Sequence, residues 1–280
     1  MSEEPVPTLP STEDGASLAW VKPYYTRAGD YWGPTGVEQG HRDRLAALIR
    51  LCGQQPLRVL ELGAGTGEAA ALMADAGHSV VALEFSPTRA PHIRGLAAQP
   101  RPGSLTALEA DFYSVSLAAE FDVVCYWDGF GVGADADQCR LLRRIASEWL
   151  KPGGCALIDV FNPFRWVRES GKEWILDRNH SSHRYRQRRR FQFDVVRGCF
   201  VDEWCPIDDE TGICDETRAI TQRIRCYNPA DLQMLLERTG LSLSHVEVDG
   251  TPVAFGSGEQ DVHEPLRAAW SYLARLVLTQ

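Results

Sequence analysis

The stretch that most restricts the fold is Arg58-Val59-Leu60-Glu61-Leu62-Gly63-Ala64-Gly65-Thr66-Gly67-Glu68, a short apolar run that passes straight into three alternating glycines and then into a helical pattern. Glycines there let the chain turn sharply and leave room for a ligand close to the backbone, and the helix that follows starts with unpaired N–H groups. Such a strand, turn and helix opens a parallel α/β sheet. The same texture recurs downstream. Apolar runs at 58–62, 79–84, 104–109, 122–127 and 156–161 alternate with helical spacing, which predicts a mostly parallel sheet with crossover helices covering both faces. The clearest helix is 135–150, apolar at Cys139, Leu141, Leu142, Ile145 and Leu150 and stopped by Pro152-Gly153-Gly154; another is expected over 37–51.

Around this core the chain divides by texture. Residues 1–15 carry Glu3, Glu4, Glu13 and Asp14 with no hydrophobic period, as a solvated tail does. Residues 16–35 hold Trp20, Tyr24, Tyr25, Tyr31 and Trp32, too many rings for a linker, interrupted by Pro23, Gly29 and Gly33. The core proper is 36–163. Residues 164–227 switch to alternation of apolar and polar side chains (RRRFQFDVVRGCFVDEW, ETRAITQRIRCY), which predicts an antiparallel β insertion lying over one end of the sheet as a lid. Residues 228–280 return to the core through a helix at 229–239 and last strands at 243–248 and 274–279. No internal repeat is present.

Composition removes several function classes. With 44% hydrophobic residues the chain can bury a sizeable core without a staple. Its 29 Lys and Arg against 38 Asp and Glu give a net charge of −9, a repulsive background for nucleic acid. No run reaches the ~18 apolar residues of a bilayer span, and the N-terminus is acidic and proline-rich, so no membrane and a cytoplasmic location are expected. The eight cysteines contain no CxxC, and the closest pair is Cys199 and Cys205. They read as reduced thiols, with no metal site. His180 and His183 lack a third ligand nearby and read as solvated loop residues, and Arg184, Arg186, Arg188, Arg189 and Arg190 as a solvated strand face.

The chemistry begins at the glycine turn. A dinucleotide fingerprint needs GxGxxG, whereas the spacing here is GxGxG with Glu68 next, a carboxylate that opposes a diphosphate but tolerates a net cationic ligand such as a sulfonium. Glu84 ends the next strand, where a carboxylate can accept both hydroxyls of a ribose. Asp111 and Phe112 follow the third strand, an acid for the exocyclic amine of adenine and a ring to cover it. Each has a plainer reading: a tight turn for the glycines, a surface strand end for Glu84, a helix N-cap for Asp111, core packing for Phe112 and for Tyr24 and Tyr25.

Taken together and in order, ELGAGTG, EFS, EADFY, FDVVCYWDGFG and LKPGG resemble the class I S-adenosylmethionine-dependent methyltransferases over roughly residues 36–162. The resemblance implies a doubly wound, Rossmann-like sheet of seven strands in the order 3-2-1-4-5-7-6 with the last antiparallel, and S-adenosyl-L-methionine as cofactor. It implies that Glu61, Gly63, Ala64, Gly65 and Gly67 hold the methionine end, Glu84 with Phe85 the ribose, and Asp111 with Phe112 the adenine. Tyr126, Trp127 and Asp128, after the fourth strand, would then line the methyl-transfer site. Tyr126 and Asp128 are the candidates to take a proton from an acceptor, and Trp127 also faces the cofactor. Tyr24, Tyr25, Tyr31 and Trp32 look like a segment that closes over the cofactor, and Phe130 and Trp166 are expected at an enclosed, aromatic acceptor mouth. A small molecule is therefore the expected acceptor, nitrogen being preferred to oxygen; the Asn-Pro-Pro-Tyr of amino-group base methylases is replaced by Tyr126-Trp127-Asp128-Gly129. A nicotinamide-dependent oxidoreductase and a noncatalytic adenosyl-binding module are the alternatives. Exposed edges of the insertion would permit a homodimer.

Overall fold

The computed structural model describes residues 18–117, 121–177, 185–254 and 264–279. The tail at 1–15, His180, His183 and Arg184 lie outside the described residues. Helix α1 (Val21–Tyr31) runs through Pro23 and Gly29, where the sequence predicts breaks. Pro23 falls in the first turn, where its missing N–H has no partner to lose. Gly29 costs about 1 kcal/mol in a helix, which the burial of Tyr24, Ala28 and Tyr31 against Trp204 and Ile220 offsets. Helix α2 (Gln39–Cys52) follows.

The main sheet then forms from β1 (Arg58–Leu62), α3 (Glu68–Asp75), β2 (Ser79–Glu84), α4 (Ala90–Ala97), β3 (Ser104–Glu109), β4 (Phe121–Phe130), α5 (Asp135–Arg144) and β5 (Leu150–Phe161). Among the described residues no helix lies between β3 and β4; a turn at Asp111–Ser114 begins that connection. The helix expected over 135–150 is α5 continued by a π-helical turn, Ile145–Trp149, and Trp149 is fully buried. The chain then makes α6 (Pro163–Glu169), β6 (Glu173–Leu176), β7 (Gln187–Asp194), β8 (Cys199–Pro206) and β9 (Ile220–Arg225). It returns through α7 (Pro229–Leu236), β10 (Leu241–Val248), β11 (Thr251–Pro252), α8 (Glu264–Ala268) and β12 (Ser271–Leu278).

The sheet order is β11-β10-β12-β5-β4-β1-β2-β3, which is the expected 3-2-1-4-5-7-6 with a two-residue edge strand added. β1 to β5 run parallel, and β12 is antiparallel to both of its neighbours. Strand alternation sends Leu60, Val124, Tyr126 and Ile158 to the face covered by α5 and α7. Val59, Val123, Cys125 and Leu157 go to the face covered by α2 and α3. All eight cysteines are free thiols, with Cys52 Sγ 3.4 Å from Cys155 Sγ.

The insertion is a four-stranded antiparallel sheet, β6-β7-β8-β9, fastened to the C-terminal ends of β4 and β5. Val132 bridges Ile224, the Arg225 N–H donates to the Gly131 carbonyl at 2.8 Å, and the Tyr227 N–H to the Phe161 carbonyl at 3.1 Å. Its arginines do not form one solvated face. Arg188 and Arg190 pair with Glu173 and Glu203 on one side, whereas Arg189 points to the other and donates to both oxygens of Asp202, each at 2.9 Å. Asp202 is fully buried, and a strand's two-residue period sends Arg188 and Arg190 to one face of β7 and Arg189 to the other.

Asn162 governs where the insertion leaves the core. Its Nδ2 donates to the carbonyls of Leu266 and Ala269, and its Oδ1 accepts the Phe164 N–H at 3.3 Å as the N-cap of α6. Asn162→Ala leaves those carbonyls without a donor and removes the cap, a loss of about 2 kcal/mol. The expected result is a Tm lower by roughly 4–8 °C by scanning calorimetry; an unchanged Tm would show that the carbonyls have other donors.

Candidate functional site

A cleft of about 540 Å³ opens at the C-terminal ends of β1, β2 and β4, roofed by α1. This is where open α/β sheets bind ligands, because the strand order reverses beside β1 and the loops part. Gly63, Gly65 and Gly67 all have positive φ, at 60°, 61° and 90°. A side chain at Gly65 would project into open cleft, since no atom lies within 4 Å of a Cβ placed there; one at Gly67 would press on Ile93 at 3.0 Å. Gly67 therefore serves the packing of α3, and Gly63 and Gly65 line the cleft with Ala64.

Glu84 ties this loop down. Its Oε2 accepts the Gly65 N–H at 2.9 Å and its Oε1 the Ser86 N–H at 2.8 Å, while only 3% of the residue is exposed. Burial raises its pKa, against the pull of Arg89 and of these N–H groups. Each oxygen keeps a further lone pair for a ligand hydroxyl. Phe85 stands beside it with Tyr25 edge-on at 5.9 Å. Asp111 spends Oδ1 on the Tyr113 N–H at 2.8 Å and is otherwise exposed to the cleft, so it caps a turn and lines the site at once. Phe112 lies between Tyr113 and Tyr126, with ring centroids 4.8 and 5.5 Å away.

At the other end of the cleft, Glu61 is 2% exposed, and its Oε2 has no hydrogen-bond partner among the described residues. Burial, reinforced by Glu68 and Glu84 and opposed by Arg44, pushes it up to about 8. Trp127 is also buried, and its Nε1 also lacks a partner among the described residues. Two buried polar atoms left unpaired on the walls of one cleft fit a bound group that supplies both a donor and an acceptor. The Arg44 guanidinium lies 5.7 Å over the Trp127 ring and forms an ion pair with Asp128. Burial disfavours its charge, but Asp128, Glu61 and Asp159 together hold its pKa above the ordinary value. Asp128 itself has a left-handed backbone, φ 53°, and a largely exposed side chain.

Tyr126 lines the cleft, and several other residues expected at the site are elsewhere. The Tyr126 hydroxyl donates to the Gly129 carbonyl at 2.8 Å, and burial drives its pKa well above that of a free phenol, so it supports the loop rather than exchanging protons. Phe130 is fully buried between Tyr126 and Tyr227. Tyr24, Tyr31 and Trp32 pack on the insertion: Trp32 meets Trp204 at 4.8 Å, and the Tyr31 hydroxyl donates to the Arg218 carbonyl. Trp166 stacks on Phe200 at 4.0 Å and borders a separate hollow with Trp174 and Trp270. Each of these rings found another ring before it found the cleft. Of the N-terminal aromatics Tyr25 lines the cleft; Arg89 lies 5.8 Å over it, and burial raises its hydroxyl to about 12. Glu68 lines the cleft as its place after the glycine turn predicts, and Lys22, His41, Arg44 and Arg89 join it without a mark in the sequence, since nothing in a helix's own periodicity tells which polar residue faces a cleft. Away from the cleft, Cys205, Cys214 and Glu216 bring donor atoms within 4.8 Å of one another, although Glu216 already pairs with Arg188.

The cleft walls carry Glu61, Glu68, Glu84, Glu109, Asp111 and Asp128 against Lys22, Arg44, Arg89 and His41, an acidic excess suited to a ligand of net positive charge. A family profile described as a methyltransferase domain matches residues 38–246. The cypemycin N-terminal methyltransferase of a Streptomyces species is 35% identical over 115 residues, 40% of this chain. The match takes in 45% of that relative, so the chain spans less than half of its length. Among solved structures, the CcbJ methyltransferase from Streptomyces caelestis superposes with a TM-score of 0.71 at 20% identity, covering 93% of this chain and 98% of that one. The glycopeptide N-methyltransferase MtfA superposes with a TM-score of 0.55 at 20% identity, covering 86% and 91%. Likeness at that identity is likeness of fold.

Proposed function

The chain belongs to the methyltransferase-domain family, and on that premise we propose that its cleft takes a methyl group from S-adenosylmethionine and passes it to a nitrogen of a small-molecule acceptor. The observation that carries the reading is the pair of buried acids at opposite ends of one glycine loop. Glu84 has free lone pairs toward a ribose, and Glu61, next to Gly63, has an oxygen with no partner among the described residues for an ammonium group. Asp111 and Phe112 are then the residues for adenine, Phe85 flanks it, and Arg44, a cation of the same cleft under the influence of Glu61, is the residue for a carboxylate.

When bound, the cofactor supplies an electrophilic methyl carbon. The protein's own work is alignment and exclusion of water, to which proximity contributes up to about 7–11 kcal/mol of the barrier. Tyr25 and Val21 on α1 cover the cleft, Trp127 forms its wall at the end of β4, and Asp128 is the carboxylate at the rim. Nitrogen is supported by a fold neighbour named as a glycopeptide N-methyltransferase and by a relative named as an N-terminal methyltransferase. Among the described residues no helix is long and apolar enough to cross a membrane.

Thermal melting in the presence of ligands tests the cofactor. Saturating S-adenosylhomocysteine, at about 100 times its Kd, should add ~2.7 kcal/mol and raise Tm by roughly 5–10 °C, while NAD leaves it unchanged. A rise with NAD alone would favour the oxidoreductase alternative instead. Incubating the protein with S-adenosylmethionine and matched amines and alcohols, and following S-adenosylhomocysteine, tests the acceptor atom; turnover confined to alcohols would overturn the nitrogen assignment.

A further inference from the structure

Asp128 stands where β4 leaves regular pairing. The register of β4 against β5 shifts between Tyr126 and Phe130, and Asp128, within that stretch, has the left-handed backbone noted above, φ 53°. Such an irregularity re-aims a side chain. Trp127 before it and Phe130 after it are buried, whereas the Asp128 side chain is 60% exposed at the cleft. There it accepts a hydrogen bond from the guanidinium of Arg44 on α2, and among the described residues it is the one acceptor to which Arg44 donates. Tyr126 pairs with Leu62 of β1, the residue between Glu61 and Gly63, so the ion pair lies beside the strand end where the glycine turn begins. The other arginine lining the cleft, Arg89, lies over Tyr25, which meets Phe85 edge-on at the Glu84 end. A carboxylate held at the Glu61 end must therefore share Arg44 with Asp128.

Resting on the methyl-transfer reading above, we infer that Asp128 is a competitor for Arg44 built into the cleft: it holds the guanidinium in the cofactor-free protein, yields it to the carboxylate of the cofactor, and is then left as the carboxylate that receives the ammonium group of an acceptor. An ion pair between partly exposed groups contributes little, so a ligand carboxylate can displace it. The Trp127 ring, 5.7 Å beneath the guanidinium, keeps Arg44 in the cleft while its partner changes. Before the exchange Arg44 offsets the charge of Asp128, and an ammonium group gains little at the rim. After it the rim carries an uncompensated negative charge, which attracts an ammonium and repels an acceptor whose nitrogen is flanked by a carboxylate or phosphate. Asp128 thus selects for a cationic acceptor, and the cofactor and that acceptor favour one another's binding.

Calorimetric titration of the full chain with two ligands tests the competition: S-adenosylhomocysteine, and its decarboxylated amine, which keeps the adenosine and the ammonium group but lacks the carboxylate. Asparagine tolerates a left-handed backbone as aspartate does. Asp128→Asn should therefore bind S-adenosylhomocysteine about 3–5-fold tighter than wild type, and the decarboxylated amine no tighter. In an Arg44→Gln background the same substitution should bring no gain, because the contested cation is gone. A second measurement needs no variant. Coupling of ethylenediamine to carboxyl groups by a water-soluble carbodiimide, read by peptide mass spectrometry, should label Asp128 more in wild type saturated with S-adenosylhomocysteine than in wild type saturated with the decarboxylated amine. Three results would each overturn the competition: an affinity for S-adenosylhomocysteine that is unchanged or weaker in Asp128→Asn of wild-type circular dichroism, an equal gain for both ligands, or equal labelling in the two complexes. Absence of binding heat with either ligand in wild type would instead remove the cofactor reading beneath it.

Discussion

Glu84→Ala is expected to weaken S-adenosylhomocysteine binding by roughly 10²–10³-fold, that is by about 3–4 kcal/mol, with the fold retained. Two losses combine in this variant. Hydrogen bonds from a ligand diol to a buried carboxylate contribute about 1.5–3 kcal/mol each. The same carboxylate also holds the Gly65 and Ser86 N–H groups, so its removal lets the glycine loop relax away from the conformation that meets the ligand. Glu84→Gln should fall almost as far, because an amide offers one acceptor oxygen where two N–H donors require two. Calorimetry alongside circular dichroism checks both variants; an affinity within a few-fold of wild type would show that Glu84 does not face the ligand.

Glu61→Gln should do two opposite things: stabilise the cofactor-free protein at alkaline pH and weaken cofactor binding. The folded state holds a proton on Glu61 up to about pH 8, whereas an unfolded chain releases it near the ordinary value of 4.5. Between those limits folding is coupled to keeping a proton, so wild-type stability declines as pH rises from 4.5 to 8 and levels off above. Glutamine carries no such penalty. The advantage of the variant is therefore absent near pH 4 and grows to a few kcal/mol above pH 8, an upper figure because other groups readjust. Melting curves across pH 4–9 check it; a constant difference in Tm over that range would mean that Glu61 titrates normally. The affinity loss follows from the other side of the same arrangement, since an oxygen left unpaired in a buried position is costly until a cationic group meets it. The resting protein carries that cost at the place where the proposed ligand is gripped.

Much of the core could be read from neighbouring residues alone. β1, β2 and β3 have the bounds that their apolar runs predict, and the glycine turn, Glu84 and Asp111 all reach the same cleft. These are local signals: a strand, the turn after it and the first residue beyond the next strand are tied by a few covalent bonds and by the invariant geometry of the crossover. The aromatic residues were less legible. Tyr25 reached the cleft, whereas Tyr24, one residue away, turned to Trp204 and the insertion, because a helix rotates successive side chains by about 100° and only the packing partner decides which of them is buried where. The meeting of Arg44 with Asp128 left no mark in the sequence at all, since it joins a helix and a strand far apart in the chain.

The sequence by itself thus determined the order of the core strands, the glycine turn that lines the cleft and the acids Glu61, Glu68, Glu84, Asp111 and Asp128 on its walls, because these follow from strand and helix periodicities, from backbone freedom at glycine and from position after each strand. Only the tertiary structure decided which rings roof the cleft and which merely pack, and how Arg44 and Asp128 meet at its rim. Those outcomes come from burial competing among many candidate partners and from charges brought together across 84 positions of chain, from Arg44 to Asp128, and neither is written into any short stretch of residues.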